Sequence, residues 1–477
     1  MIRRLLKDSA VYISSAALSR AIALLLIPLY TRALAPGDFG VIDLMAVVAG
    51  FANLFVMLEI PQAVARYYPA AEGADKARYA STALWFTLAS YTAFTAAGLL
   101  FAPLLARLVL DSEQHAGVFR IALLAMWAGG IFYFLQNQLR WRLQTMHYAL
   151  VSILSTLVSS AVAVVLVVVM DMGVVGIFWG VLAGAVAGSL TALRLTRGDY
   201  RFEFDSAKFA EMLRFSSPLL VSSIAVLVSA FIDRVAIKQL LTIDDLGIYG
   251  IGQRFASAAG LLLLGFQGTL TPLVTHYHAE PATPLQLART FRYFVAVALP
   301  ANLALCVYAP EIVILFTAPA YYGAHVIIPL LSTAMLLAGM YVFAPGLWLA
   351  KKTRITMQIN IAAAAVNIVL NYALIPVWGI AGAAAATLTG ALASFALHMT
   401  VSQKHYPLPI DWSRISMGAA LYCAAVALGG AIDLPLQQAV FVKFAVLTAG
   451  SFLIALAVLG AGEARALAER CLLILKR

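Results

Sequence analysis

Six charged side chains stand inside stretches of sequence that are otherwise apolar: Arg20, Asp43, Glu59, Asp233, Arg234 and Arg254. Arg20, Asp233, Arg234 and Arg254 interrupt their runs well away from the ends. Asp43 and Glu59 lie nearer the two ends of theirs. A guanidinium never deprotonates and offers a planar fork of donors, which suits phosphate groups. The three arginines in an apolar interior read as a cationic cavity for an anionic substrate. The three carboxylates read as ion-pair partners or as coupling groups for a proton or sodium ion. Adjacent residues on a helix point about 100° apart, so Asp233 is not expected simply to neutralise Arg234. The other reading of Arg234 is a structural pair with a carboxylate on another helix.

Such charges need a reason because of where they sit. The chain has 477 residues, of which 63% are hydrophobic and 11% charged, with a mean hydropathy of +0.91. Soluble domains carry about 25% charged residues, so this is an integral membrane protein of many spans. On an insertion scale Arg20, Arg234 and Arg254 together cost roughly 8–10 kcal/mol at the centre of a bilayer. Arg120 and Lys443 lie near run ends and are expected to snorkel to the interface. The net charge of +10 follows from the basic bias of cytoplasmic loops and does not indicate a nucleic-acid partner. Cys306, Cys423 and Cys471 form neither a disulfide framework nor a metal site, and no cofactor is expected.

A bilayer core needs about 20 apolar residues per helix. Fourteen runs qualify, near 11–30, 40–60, 80–105, 118–137, 149–170, 173–195, 215–238, 248–274, 290–310, 325–345, 357–376, 379–400, 415–432 and 437–460. The first has no clear cleavage site and reads as a retained helix. With this count about 24 Lys and Arg side chains fall on one side and only Arg32, Arg107 and Lys238 on the other. That alternation places both termini in the cytoplasm. Two inner connections, "FDSAKFAEMLRF" with an Asp205 cap and "ATPLQLARTF" with a Thr283 cap, read as short surface helices.

The chain repeats at a shift of about 207 residues. "APGDFGVIDL" meets "TIDDLGIYGI", pairing Asp38 with Asp245 and Gly40 with Gly247, and Pro103 pairs with Pro310. "GVVGIFWGVLAG" meets "GIAGAAAATLTG" at a shift of 206. The expected organisation is an N-lobe of six helices over 1–200, a C-lobe of six over 201–402, and two added helices with a cytoplasmic tail over 403–477, lying outside the twelve-helix core. An even helix number per lobe implies a pseudo-two-fold axis along the membrane normal. Paired repeats are a transporter architecture, with the site between them.

Amides and aromatics, among them Asn53, Asn302, Asn367, Asn371, Tyr133 and Tyr249, also enter the spans. Each is read as a helix–helix contact or as a lining for sugar hydroxyls. There is no metal-ligand cluster, phosphate loop or nucleophile elbow, and an enzyme is not expected. A glycan polymerase or ligase would call for a large outward loop, whereas the inferred loops are all short.

Three stretches carry a family likeness: "LIPLYTRALAPGDFGVIDL", "EIPQAVARYYP" and "FSSPLLVSSIAVLVSAFIDRVAIKQLLTIDDLGIYGIGQRFASA". They resemble the Wzx-type polysaccharide-biosynthesis flippases of the multidrug/oligosaccharidyl-lipid/polysaccharide exporter superfamily. The resemblance implies a V-shaped cavity between two lobes and alternating access for a polyprenyl-pyrophosphate-linked oligosaccharide. It implies a bacterial cytoplasmic membrane, with membrane lipids and polysaccharide-assembly proteins as partners. Two helices beyond twelve are similar to the lipid II flippases. A drug/cation antiporter of the same superfamily is the alternative, and it would need acidic cavity residues.

Overall fold

The computed structural model describes residues 2–463 apart from 262, 264–269, 271–273, 275, 276, 433 and 461. Among the described residues every regular element is helical. The chain forms two compact units, 1–250 and 251–477.

The first unit contains α1 (Ile2–Leu25), α2 (Ile27–Ala33), α3 (Pro36–Met57), α4 (Ile60–Tyr67), α5 (Gly73–Leu100), α6 (Ala102–Leu110), α7 (Ala116–Trp141), α8 (Thr145–Val164), α9 (Gly173–Thr196), α10 (Ser206–Leu240) and most of α11 (Ile243–Ala256). The second contains α12 (Thr283–Val307), α13 (Ala309–Phe316), α14 (Ile328–Gly339), α15 (Thr353–Trp378), α16 (Ile380–His405), α17 (Trp412–Gly430) and α18 (Leu436–Leu459).

Among the described residues ten helical segments are long and apolar enough to cross a membrane, and two bent pairs raise this to twelve. Each of the twelve overlaps one expected span. The expected span 415–432 is α17, a 19-residue helix. The remaining one, 248–274, begins in α11 and continues into residues outside those described.

The repeated segment folds the same way twice. In α3 the Asp38 carboxylate accepts the Ala35 backbone N–H at 2.9 Å. In α11 Asp245 accepts the Thr242 N–H at 3.1 Å, while the Thr242 hydroxyl accepts the Asp245 N–H at 3.1 Å. Both satisfy donors that a helix start leaves open, and both place a carboxylate at the positive end of the helix dipole. α9 lies close against α8 because glycine leaves room. A side-chain carbon at Gly180 would stand 2.7 Å from the Ser159 carbonyl oxygen, and one at Gly184 would stand 2.5 Å from that of Ser155. Small residues four apart are a common device for tight packing in lipid.

The two short surface helices are not separate. Asp205 does cap α10, accepting from the N–H groups of Ala207 and Lys208, but the helix then runs 35 residues. Ser206–Val221 and Val226–Leu240 meet at 48°, a few residues past Pro218, which supplies no N–H to the ladder. At α12 the cap is Ala282, not Thr283, whose hydroxyl instead donates to the Tyr277 carbonyl at 2.7 Å. That helix also continues unbroken into its span. The Asp199 carboxylate ties the end of α9 back to the inner bundle, accepting from Tyr68 at 3.0 Å and from Gln138 at 2.7 Å. Burial and this carboxylate push the Tyr68 phenol up, so it donates at neutral pH.

The two helices beyond the twelve, α17 and α18, pack against α12 in the second unit. Tyr422, Ala425, Ile454 and Val458 pack with Leu303, Cys306 and Val307 of α12. The Tyr422 hydroxyl accepts from Asn302 at 2.7 Å and lies 2.8 Å from the Thr333 hydroxyl and 3.2 Å from the Cys306 sulfur. Lys443 does not snorkel. It is 2% exposed and donates to Glu311 at 2.6 Å, because α13 presents that carboxylate beside it. Replacing Tyr422 by phenylalanine is expected to lower stability by about 1–2 kcal/mol, since Asn302 loses the nearer of its two acceptors in the core and keeps only the Thr333 hydroxyl at 3.3 Å. A thermal melt of the detergent-purified variant reads the change, and an unchanged melting temperature would contradict the network.

Candidate functional site

Asp43, Asp233 and Arg234 come together in the first unit. Asp43 lies in the second turn of α3, and the other two lie in the distal half of α10. The Arg234 guanidinium reaches Asp233 Oδ1 at 3.3 Å and stands 4.0 Å from Asp43 Oδ2. It also donates to the Ala230 carbonyl at 3.1 Å and lies 5.2 Å from the Phe231 ring centroid. All three charged side chains are close to buried, at 12% exposure for Arg234 and 7% for each aspartate. Tyr249 of α11, itself fully buried, donates to Asp233 Oδ2 at 2.5 Å.

This corrects the expectation that neighbours on a helix cannot neutralise each other. The Asp233 side chain turns back and accepts the Arg234 N–H at 2.8 Å. The long arginine then curls over its own helix to the same oxygen and to Ala230. The angular argument holds for Cβ directions but not for the tip of a flexible side chain.

One turn along from this cluster lies a second closure. A side-chain carbon at Gly247 would run into the Pro36 carbonyl, and one at Gly40 would run into the Ile243 carbonyl. The starts of α3 and α11 therefore meet backbone to backbone. The glycines are the two that the repeat pairs.

On the other side of the cluster a cavity of about 340 Å³ opens between α3, α4, α7 and α10. Leu54, Met57, Val226 and Leu227 give it apolar walls. Asn53, Glu59, Gln62 and Tyr133 supply amides, a carboxylate and a phenol. Asn53 is held in place by the Tyr91 hydroxyl at 3.1 Å. Ala230, whose carbonyl holds Arg234, forms part of the wall. Glu59 reaches the cavity through an unusual backbone. Leu58 and Glu59 adopt φ of 50° and 56° in succession, a left-handed region that costs about 1–2 kcal/mol per non-glycine residue. The break between α3 and α4 turns the chain so that Glu59 and Gln62 line the cavity.

Arg20 and Arg254 are not in this cluster. Arg20 is exposed on α1, and no ion pair reaches it among the described residues. Arg254 is half-buried near the end of α11, in the second unit. Tyr249, read as either a helix–helix contact or a lining aromatic, is the former, a buried partner of Asp233. Gln62 was not singled out from the sequence, because it lies in the short α4 beyond the apolar run. Asn367 and Asn371 bond to each other along α15, Asn371 Nδ2 to Asn367 Oδ1 at 3.2 Å. Among the described residues no group of three or more His, Cys, Asp or Glu could hold a metal ion.

The sequence profile of a family described as polysaccharide biosynthesis protein matches residues 5–278, more than half of the chain. The chain belongs to this family. No curated protein matches it. Among solved structures, this member of the family is similar to the lipid II flippase MurJ in an inward closed conformation. The TM-score is 0.71 at 13% identity, covering 94% of this chain and 98% of that one. It is also similar to an inward-facing multidrug resistance MATE family transporter of the MOP superfamily. There the TM-score is 0.66 at 16% identity, with 83% and 94% covered. A MOP superfamily transporter from Pyrococcus furiosus, described by the reverse polarity of its binding pocket, gives 0.55 at 16% identity, with 87% and 95% covered. At these identities the likeness is one of fold. The chain is thus a multi-pass membrane protein, helical in every regular element among the described residues, with the fold of MOP superfamily transporters.

Proposed function

We propose that the protein is a flippase. It carries a polyprenyl-pyrophosphate-linked oligosaccharide across the bacterial cytoplasmic membrane by alternating access, with both termini in the cytoplasm. Its cargo is the repeat unit of a surface polysaccharide such as O-antigen or exopolysaccharide. The family match over residues 5–278 carries this reading. The cavity of the first unit supports it. Amide, carboxylate and phenol groups on apolar walls suit the hydroxyls of a sugar ring and the hydrocarbon faces between them. Arg20 and Arg254 remain separate candidate contacts for the anionic cargo, one in each unit. Arg234 has two carboxylates as its nearest charged neighbours and is assigned to a latch between α3 and α10 at the end of the cavity.

One observation favours a second reading, a drug/cation antiporter. Among the described residues the cluster and cavity of the first unit hold three carboxylates, Asp43, Glu59 and Asp233, and one arginine, Arg234, and a net negative interior suits a cation. Purified protein in liposomes loaded with a fluorescent polyprenyl-pyrophosphate glycan separates the two. A flippase exposes the glycan to an external glycosidase within the assay. An antiporter leaves it protected and instead moves a lipophilic cation against a proton or sodium gradient. The second pattern would overturn the flippase reading.

A further inference from the structure

The second unit has a cavity that this function does not use. The first turns of α12, the residues leading into α17 with Ile415 of its first turn, and Glu463 beyond α18 line a cavity of about 310 Å³. On the topology proposed above they lie at the inner face of the membrane. Leu285, Phe291, Ile410 and Ile415 supply hydrocarbon, while Arg289, Arg292, Asp411 and Glu463 supply charge. Both carboxylates already have cations. Arg292 Nη2 reaches the two Glu463 oxygens at 2.8 and 2.7 Å, and Arg414 Nε reaches Asp411 Oδ2 at 3.0 Å. One cation is left over. Arg289 is exposed on this wall and has no ion pair among the described residues. The cavity therefore offers one net positive charge beside an apolar wall, at the level where lipid headgroups lie.

We propose that this cavity binds the phosphodiester headgroup of an anionic phospholipid of the inner leaflet. Arg289 is the charged contact, and the acyl chains follow Leu285 and Ile415 into the bilayer. A phosphodiester carries one negative charge, matching the surplus guanidinium, and takes its paired donors in the geometry arginine presents. Basic pockets between helices on the cytoplasmic side are the usual form of such sites. The hydrocarbon wall favours a lipid over free phosphate, which has nothing to place there. The chain's own residues 464–477 are a poor occupant. They bring Arg465, Arg470, Lys476 and Arg477 against Glu469 alone, the same sign as the cavity. The proposal concerns a structural lipid, not the transported one, and it stands whether or not the cargo is a glycan.

The test uses the full-length protein in nanodiscs of phosphatidylcholine, with and without phosphatidylglycerol, and reads the melting temperature. Phosphatidylglycerol is expected to raise it by about 2–4 °C, as linkage to a bound ligand does in a chain of this size. Arg289→Gln should lose at least half of the rise. Arg201→Gln, which removes a different inner-face arginine, should keep it. Arg289 is exposed and has no hydrogen bond or ion pair among the described residues, so its variant is expected to fold with an unchanged melting temperature in phosphatidylcholine alone. A full rise in Arg289→Gln would overturn the site. An equal rise from inorganic phosphate at matched ionic strength would make it a free-anion site. A rise that appears only after residues 464–477 are deleted would show that the chain's own end occupies the cavity.

Discussion

Replacing Gly247 by alanine is expected to abolish transport and to lower stability by about 1–3 kcal/mol or more, the range for forced overpacking. The added carbon would meet the Pro36 carbonyl, with the Gly40 backbone nitrogen 3.0 Å away. Both obstacles are main chain, so no rotamer relieves them, and the starts of α3 and α11 must part. Parting them disturbs the Ala35–Asp38 and Thr242–Asp245 caps, which are built on the same turns. It also moves Asp43, three residues past Gly40, and Tyr249, two residues past Gly247. Gly129→Ala is the control. Nothing lies within 4 Å of a carbon built there, so melting and transport should match the unaltered protein. The measurement is a detergent melt beside growth of a flippase-deficient strain carrying each variant. A Gly247→Ala protein that melts and transports normally would show that this backbone contact does not form.

The sequence foretold some of this and hid the rest, and the division is physical. Membrane spans are legible because lipid demands long apolar runs, and twelve of the fourteen expected spans coincide with apolar helices or bent pairs. The paired caps are legible because an Asp three residues inside a helix start does the same local chemistry wherever it recurs. The bend in α10 is half legible. Pro218 announces an interruption, but the chain continues as one helix because a transmembrane helix has no better partner for its backbone than itself. What stayed hidden depends on contacts between elements distant in sequence. Nothing in the spacing of Asp43 and Arg234, or of Asp233 and Tyr249, says that their helices meet. The Lys443–Glu311 pair is of the same kind. Snorkelling is a sound default for a lysine near a span end, and it yields when another helix brings a carboxylate within 2.6 Å. The cavity lining was partly visible as Asn53, Glu59 and Tyr133. Its shape depends on two left-handed residues, Leu58 and Glu59, where no glycine marked the turn.

Arg234→Ala is expected to reduce folded protein sharply, and neutralising its partners is expected to restore it. The alanine variant leaves Asp43 and Asp233 close to buried without the cation between them. Breaking a buried pair from one side costs about 3–5 kcal/mol, comparable to much of the stability of a membrane bundle. Asp43→Asn alone should cost less, because Arg234 keeps Asp233 at 3.3 Å and the Ala230 carbonyl at 3.1 Å. Arg234→Lys should fall between, since an ammonium cannot hold two carboxylates and a carbonyl in one plane. The triple neutral variant, Asp43→Asn with Asp233→Asn and Arg234→Met, removes every charge at once and should recover folded yield. The Tyr249 hydroxyl can still donate to the amide oxygen at position 233. Transport separates the roles. If Arg234 is a latch between α3 and α10, the triple variant transports at a reduced rate, because the two helices still pack together where Gly50 lies against Leu227 and Phe231. If Arg234 instead binds the pyrophosphate, the triple variant folds fully and transports nothing. Folded yield by fluorescence-detected chromatography and glycan exposure in liposomes, measured on the same preparations, distinguish the two. Full folding with no transport would overturn the latch and return Arg234 to the cargo.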